Sequence, residues 1–187
     1  GTYERRLERV WRDKKMVATF LEQELADELK KIFKGFRLKN RQGEESELNI
    51  FEQLLPMPEP AEQEEIPPEL LENGLAEEQT APDPYPYIVV RIADGEIKDE
   101  NSAQEANITL LFGTYEPDYD KQGHKDILNI IAKIYERFAK YPVLNGKYTI
   151  QYPILWTLQD EESYPFYFGG MNLTFEIAAV RREDPYA

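Results

Sequence analysis

The strongest structural signal in the sequence is a strict alternation over residues 171–179. Apolar side chains occupy every second position there, namely Met171, Leu173, Phe175, Ile177 and Ala179. A period of two is that of a β-strand with one buried face. Because such a strand needs a second layer to cover its apolar face, the rest of the chain must supply helices or another sheet.

Two stretches, residues 16–36 and 123–141, carry the apolar stripe of an amphipathic helix. The first stripe advances by steps of three or four residues through Leu21, Leu25, Leu29, Ile32 and Phe36. The second stripe consists of Ile127, Ile130, Ile131, Ile134 and Phe138. Gly35 and Pro142 lie where these helices are expected to end. The two helices can therefore form the covering layer.

Three further segments have the composition of strands: residues 87–92, 107–115 and 147–159. The second is apolar on both faces, which predicts a central position in the sheet. The third contains Pro153, which implies an edge strand or a bulge. Asp94-Gly95 predicts a tight turn leading into residues 96–98. These elements predict an α+β domain over residues 16–187, with helices packed on one face of a mixed or antiparallel sheet.

The acidity of the chain is concentrated in residues 44–84. This segment holds thirteen of the acidic residues and no Lys or Arg, so the rest of the chain is left at −1 out of a net charge of −14. It also holds seven of the thirteen prolines. We interpret it as an extended acidic arm with apolar anchors. Ser46 is predicted to cap a short helix that Pro56 ends, and Pro67-Pro68 to open another.

Composition excludes several classes of function. The sequence has no cysteine, so disulfides and thiolate chemistry are ruled out. A chain without a basic stripe is not built to hold a phosphate backbone. No run of about 18 apolar residues occurs, so no membrane partner is expected. Residues 1–15 form a mildly basic segment whose role the sequence leaves open.

Catalytic chemistry has few candidate groups. His124 is the only histidine, and Asp118, Asp120 and Asp126 lie close to it in sequence. Their spacing matches no metal-binding loop such as the twelve-residue calcium loop, and acidic residues are favoured before a helix in any case. The serines do not lie in a G-x-S-x-G turn. A solvated loop is therefore favoured over a metal site, and neither a catalytic residue nor a cofactor is assigned.

The most distinctive local feature is the aromatic run of residues 164–170, YPFYFGG. Tyr and Phe offer large rigid contact areas, and paired glycines let another backbone approach closely. Glu161 and Glu162, instead of Lys or Arg, flank the run, which disfavours nucleic-acid stacking. An interface and a corner that packs on its own domain are equally compatible with this run.

Several fragments, in this order and spacing, resemble the tail-terminator family of long-tailed phages and prophages, also described as tail-completion or head-tail joining proteins. The fragments are residues 49–56 (NIFEQLLP), 67–69 (PPE), 84–91 (PYPYIVVR), 110–115 (LLFGTY), 122–131 (QGHKDILNII) and 164–171 (YPFYFGGM). They span nearly all of residues 16–183. The basic residues 1–15 lie outside the match.

The resemblance implies a non-enzymatic virion protein that forms a ring, typically a hexamer, at the neck of the phage. Such a ring caps the tail tube and joins it to the head-connector or stopper protein, and DNA passes through its lumen without sequence-specific binding. The subunit would be made in the host cytoplasm and end at the head-tail junction. On this hypothesis we assign interface roles to six residues: Phe51, Leu54, Arg91, Tyr167, Gly169 and Gly170.

Two alternatives remain open at this point. One is another neck or minor tail protein of similar fold, which sequence separates poorly from a terminator. The other belongs to a different class: a small acidic-site hydrolase or metal-binding module that uses His124, Asp120 and Asp126. Loss of assembly on replacing His124 with alanine, rescued by metal, would favour that module.

Overall fold

The computed structural model describes residues 17–57 and 82–179. Within these ranges the chain forms two α-helices, eight strands and one 3-10 turn. In chain order they are α1 (Val17–Ile32), β1 (Arg37–Lys39), β2 (Glu45–Glu47), β3 (Asn49–Glu52), β4 (Tyr87–Glu96), β5 (Gln104–Tyr115), the 3-10 turn (Tyr119–Lys121), α2 (His124–Lys140), β6 (Val143–Leu144), β7 (Tyr148–Leu158) and β8 (Phe166–Ile177). Neither helix is long and apolar enough to cross a membrane.

Six of the strands form one sheet in the order β3-β4-β5-β8-β7-β6. All neighbours are antiparallel except β3 and β4, which are parallel, so the sheet is mixed. β1 and β2 form a separate two-stranded hairpin. β5 and β8 are central, and the central position of β5 is the one that its two apolar faces predict.

Both helices contribute to one core against the same face of this sheet. Ile88, Leu110, Leu173 and their neighbours on that face are buried. So are the predicted stripes of both helices, except for Ile32 and Phe36, which are partly buried. α1 packs over β3 and β4, whereas α2 packs over β5, β8 and β7. The predicted α+β class, with helices on one face of the sheet, is confirmed.

The first helix ends earlier than predicted. Its α-helical part stops at Ile32, and the chain then turns through Gly35, whose φ of +81° is the left-handed conformation that glycine adopts without strain. Leu21, Leu25 and Leu29 are completely buried, as the stripe predicts. Phe36 packs against the same core from outside the helix.

The helix predicted to start at Ser46 is wrong. Ser46 lies in β2, and the following residues form β3. The backbone N–H of Asn49 donates to the carbonyl of Pro86, and that of Gln53 donates to Val90, so parallel pairing with β4 satisfies the backbone. Pairing with a distant strand overrides a local helical pattern this short.

The tight turn predicted at Asp94-Gly95 is also wrong. β4 continues through Gly95 to Glu96, with a bulge between Ile92 and Asp94. A Cβ on Gly95 would lie 2.7 Å from the carbonyl oxygen of Glu105, so glycine is needed for the close approach of β5. The reversal comes later, where the carboxylate of Asp99 accepts hydrogen bonds from the next turn.

Other predictions on the arm and the N-terminus lie outside the described residues. These are the mildly basic segment of residues 1–15, the helix opened by Pro67-Pro68, and most of the acidic arm. Of the arm, residues 45–52 contribute β2 and β3.

Candidate functional site

The second half of β7 forms a free edge of the sheet. β7 is hydrogen-bonded to β8 along one side, but β6 pairs with only Tyr148 and Thr149 on the other. From Gln151 to Leu158, no strand in the described part of the chain covers that outer side. Unpaired N–H and C=O groups of this kind are a template for another chain.

This edge carries no charge. The twelve residues 148–159 include no Asp, Glu, Lys or Arg, in a chain of which 31% is charged. The other uncharged runs of ten or more residues, 106–115 and 163–175, cover most of the central strands β5 and β8. Monomeric proteins usually protect exposed edges with charged side chains. β7 therefore has the sequence of a central strand in the position of an edge strand.

Large apolar side chains project from the free half of β7. Tyr152 is 62% exposed, and Leu155 and Trp156 are each 56% exposed. Between this half-strand and α2 lies a groove of about 360 Å³, lined by Leu128, Ile131, Ala132, Tyr135, Tyr152, Ile154, Trp156 and Met171. On the opposite face of the sheet, Leu155 and Trp156 also border a shallower hollow of about 230 Å³. The edge is apolar on both faces.

Pro153 is the local cause of this exposure. A proline has no N–H to donate, and the register of β7 against β8 shifts between Gln151 and Leu155. The sequence prediction of an edge or a bulge at this proline is confirmed, since both occur. The bulge interrupts the pairing where Tyr152 turns toward solvent.

A second apolar surface lies beyond β3, at the opposite edge. Leu54 is 62% exposed, Leu55 37% and Met57 76%. Gln53 holds the start of this segment: its side-chain oxygen accepts from the N–H of Ile92 at 3.0 Å and its side-chain nitrogen donates to the Ile92 carbonyl at 3.3 Å. The Gln53 residue, with φ of +67°, thereby turns the chain so that Leu54 points outward.

Three of the six predicted interface residues lie together at this second edge. Phe51 is half-buried on β3, and Leu54 is exposed. Arg91 donates from Nε to the carbonyl of Gln53 at 3.1 Å, so it supports the turn that precedes Leu54. These residues and the edge of β7 are separated by the full width of the central sheet.

The other three predicted interface residues lie in β8 and make contacts within the chain. The Tyr167 ring covers Gly123, and the Tyr167 hydroxyl accepts a hydrogen bond from that residue's N–H. A Cβ on Gly169 would lie 2.5 Å from Cγ2 of Ile127, which shows how closely α2 approaches the sheet. Gly170 is buried between β5 and β7.

The aromatic run of residues 164–170 continues this internal packing. Phe166 lies against Tyr85 with ring centroids 4.9 Å apart and against Tyr115 at 5.4 Å. Tyr85 also contacts Tyr87, and burial raises the pKa of Tyr87 to about 12. This aromatic cluster occupies the sheet face that the helices leave open.

The residues around His124 have structural contacts of their own. The Asp118 carboxylate accepts from the N–H of Asp120 and caps the 3-10 turn. Glu116, 7% exposed, accepts from Lys39 at 3.0 Å. Burial, reinforced by the nearby Glu116 carboxylate, raises the pKa of Asp126. Among the described residues, no three His, Cys, Asp or Glu side chains come together in a way that would hold a metal ion.

His124 borders a cleft of about 470 Å³ between the start of α2 and the β7–β8 loop. The loop contributes Asp160, Glu161 and Glu162, so the cleft is acidic. Ser163 faces it too, but its hydroxyl donates to the carbonyl of Phe166 at 2.7 Å and holds the turn into β8. The walls of the cleft are partly acidic and partly aromatic, whereas those of the groove beside β7 are mainly apolar.

No protein-family model matches this chain, and no curated protein matches it.

The most exposed apolar surface of the sheet is formed by three residues of the β7 edge that were not predicted from the sequence. They are Tyr152, Leu155 and Trp156. The sequence signal that identifies them is Pro153, a proline within a strand that also lies in an uncharged run.

Proposed function

We propose that this protein is a ring-forming structural subunit of a phage virion, of the tail-terminator kind. In this role the ring caps the tail tube and joins it to the head connector, and the subunit catalyses no reaction. The fragments that resemble the tail-terminator family support the proposal. The observation that carries it is the uncharged, apolar and unpaired half of β7, which is suited to contact with another protein.

The exposed area is large enough to matter. Tyr135, Tyr152, Leu155 and Trp156 together leave on the order of 500 Å² of mainly apolar surface in water, a patch in the upper range for a soluble monomer. Burial at about 25 cal/mol per Å² would favour association before the entropic cost of binding is subtracted. A protein that works alone gains nothing from keeping such a patch exposed.

The presence of a second apolar surface at the other edge favours a ring. An association that uses two different surfaces of each subunit is head-to-tail, and it closes into a ring when the rotation between neighbours allows. An association through one self-complementary surface would stop at a dimer. The acidic charge of residues 44–84, together with a nearly neutral body, is compatible with a lumen that DNA passes without being held.

The first experiment measures self-association of the purified protein by light scattering and electron microscopy. We expect ring-shaped particles with a central hole, alone or on added tail tubes. Tyr152→Lys places an unpaired ammonium in the contact and should weaken association at least tenfold, or about 1.4 kcal/mol. Tyr141→Lys is the matched control, because Tyr141 is 67% exposed but lies at the end of α2. If the wild-type protein stays monomeric both alone and with added tail tubes, the proposal is contradicted.

A second experiment separates a terminator from another neck protein. In a phage that encodes this chain, loss of a terminator should give tail tubes of uncontrolled length. Loss of a connector should instead give free tails of normal length. Tail lengths measured by electron microscopy in a deletion mutant therefore decide between these two roles.

A further inference from the structure

We infer that the apolar segment Leu54–Met57 of one subunit occupies the groove between α2 and β7 of the next. This inference rests on the proposed ring and names the contact that would build it. The occupant is a second copy of this chain, bound head-to-tail.

The two surfaces lie at opposite edges of one sheet. In the strand order β3-β4-β5-β8-β7-β6, the segment after β3 and the free half of β7 are separated by four strand intervals, or about 19 Å. Each copy therefore presents one surface on each flank. A head-to-tail contact can use both at once, whereas pairing of two β7 edges would leave Leu54 and Met57 in water.

The register places both surfaces at a similar height on the sheet. One row of paired residues crosses it from edge to edge, through Glu52, Val90, Leu110, Met171 and Trp156. The apolar segment begins two residues after the β3 end of this row. Tyr152 lies four residues before the β7 end of the row. Because β3 and β7 run in opposite directions, residues after Glu52 and residues before Trp156 lie on the same side of the row. Both apolar surfaces therefore extend to that side. A contact without a large offset between copies favours a closed ring over an open helix.

The sizes of the two surfaces are compatible. The groove volume of about 360 Å³ is one that a few leucine- or methionine-sized side chains would fill. Counting both partners, the exposed side chains contribute on the order of 800 Å² toward the 1,200–2,000 Å² of a typical stable interface. The flanking backbone and the rest of the free edge have to supply the remainder.

The test is a charge-swap between two side chains of equal exposure, one on each surface. Leu54 is 62% exposed, and so is Tyr152, which lines the groove, so Leu54→Asp and Tyr152→Lys should each fold as the parent does. Alone, each variant places an unpaired charge in the contact and should associate at least tenfold more weakly. Mixed in equal amounts, they can alternate around a ring, with the new aspartate of one variant facing the new lysine of the other at one contact, and Leu54 facing Tyr152 at the next. We expect the mixture to recover assembly.

Cross-linking gives an independent readout, because it detects the contact between subunits without having to weaken it. Because the chain has no cysteine, Leu54→Cys with Tyr152→Cys in one chain provides the only two thiols. A short bifunctional maleimide should then produce a ladder of covalent oligomers beyond the dimer. Leu54→Cys with Tyr119→Cys is the control. Tyr119 is 74% exposed, but it follows the C-terminal end of β5 and does not line the groove.

Each outcome is decisive. Recovery in the mixture together with a ladder supports the contact. Wild-type rings without recovery or ladder would overturn it while leaving the ring proposal intact, and the groove would then have another occupant such as the tail tube protein. Dimers from Tyr152→Cys alone would show β7 edges facing each other and also overturn it. Absence of wild-type rings, in solution and on tail tubes, would remove both proposals.

Discussion

β8 and the free half of β7 are neighbours of similar composition in different surroundings. β8 is paired along its length with β5 and for most of it with β7, and Leu173 and Phe175 on it are fully buried. β7 is paired on one side over its second half, where Leu155 and Trp156 are more than half exposed. All of β7, and β8 up to Phe175, lie within long uncharged runs.

This difference distinguishes two reasons for an apolar sequence. In β8, the fold of the single chain accounts for every apolar residue that faces the helices. In β7, the fold accounts for Tyr148 and Ile150, which are buried, but not for Tyr152, Leu155 or Trp156. An apolar strand that its own fold does not bury is suited to contact with a second molecule, and the proposed ring would supply one.

The largest expected effect comes from replacing leucine with alanine, once in β8 and once in the free half of β7. Leu173→Ala removes a side chain with 0% exposure and should lower the free energy of unfolding by about 2–5 kcal/mol. Leu155→Ala, on the free half of β7, should cost less than about 1 kcal/mol in the monomer, yet weaken self-association. Urea denaturation of dilute protein and sedimentation at higher concentration measure the two effects. Equal losses of monomer stability would contradict the comparison.

Much of the fold could be predicted because its longer elements have clear periods. The helix stripes through Leu25 and Ile130, and the alternation through Leu173, extend over enough residues to specify helix or strand. The short strands β1, β2 and β3 could not be predicted in this way. With three or four residues each, they present too few positions for a period, and β3 forms because β4 offers it hydrogen bonds.

The candidate site was predicted only in part, for a related reason. Pro153 correctly indicated an edge or a bulge. Leu54 is exposed, and its interface role stays a prediction. The exposure of Trp156 could not be read from alternation, because Trp156 shares a face with buried residues. Whether that face is covered depends on how far α2 extends over β7, which is a property of the packed structure.

The second prediction concerns the paired glycines of β8. Gly169→Ala would force its Cβ to 2.5 Å from Cγ2 of Ile127, a stiff side chain that is itself fully buried. We expect a loss of about 1–3 kcal/mol in the free energy of unfolding. Gly170→Ala is the matched control: its nearest contact is the Leu110 carbonyl oxygen at 3.3 Å, so it should be tolerated better. Thermal unfolding compares the two, and a greater loss at Gly170 would contradict this account of how α2 packs.

The smallest expected effect lies in the first half of β7, which we call its covered half because β6 pairs with it. Tyr148 in this half is completely buried. Burial, and then a hydrogen bond from its hydroxyl to the Glu24 carboxylate, raises the pKa of Tyr148. Burial alone would raise the pKa of Glu24, but hydrogen bonds from Lys147 and Tyr148 outweigh it, so that the pKa lies below its ordinary value of 4.5. Tyr148→Phe removes one of these hydrogen bonds and should cost about 1–2 kcal/mol at neutral pH.

The pH dependence of this loss separates hydrogen bonding from packing. A carboxylate whose pKa is lowered by folding stabilises the fold above its unfolded pKa, here 4.5, and this contribution is lost as the pH falls through the folded pKa. Tyr148→Phe should therefore differ most from the parent at neutral pH and approach it below the folded pKa of Glu24. Urea denaturation across this range measures the difference. A loss that does not change with pH would mean that Tyr148 contributes to the covered half of β7 through packing alone.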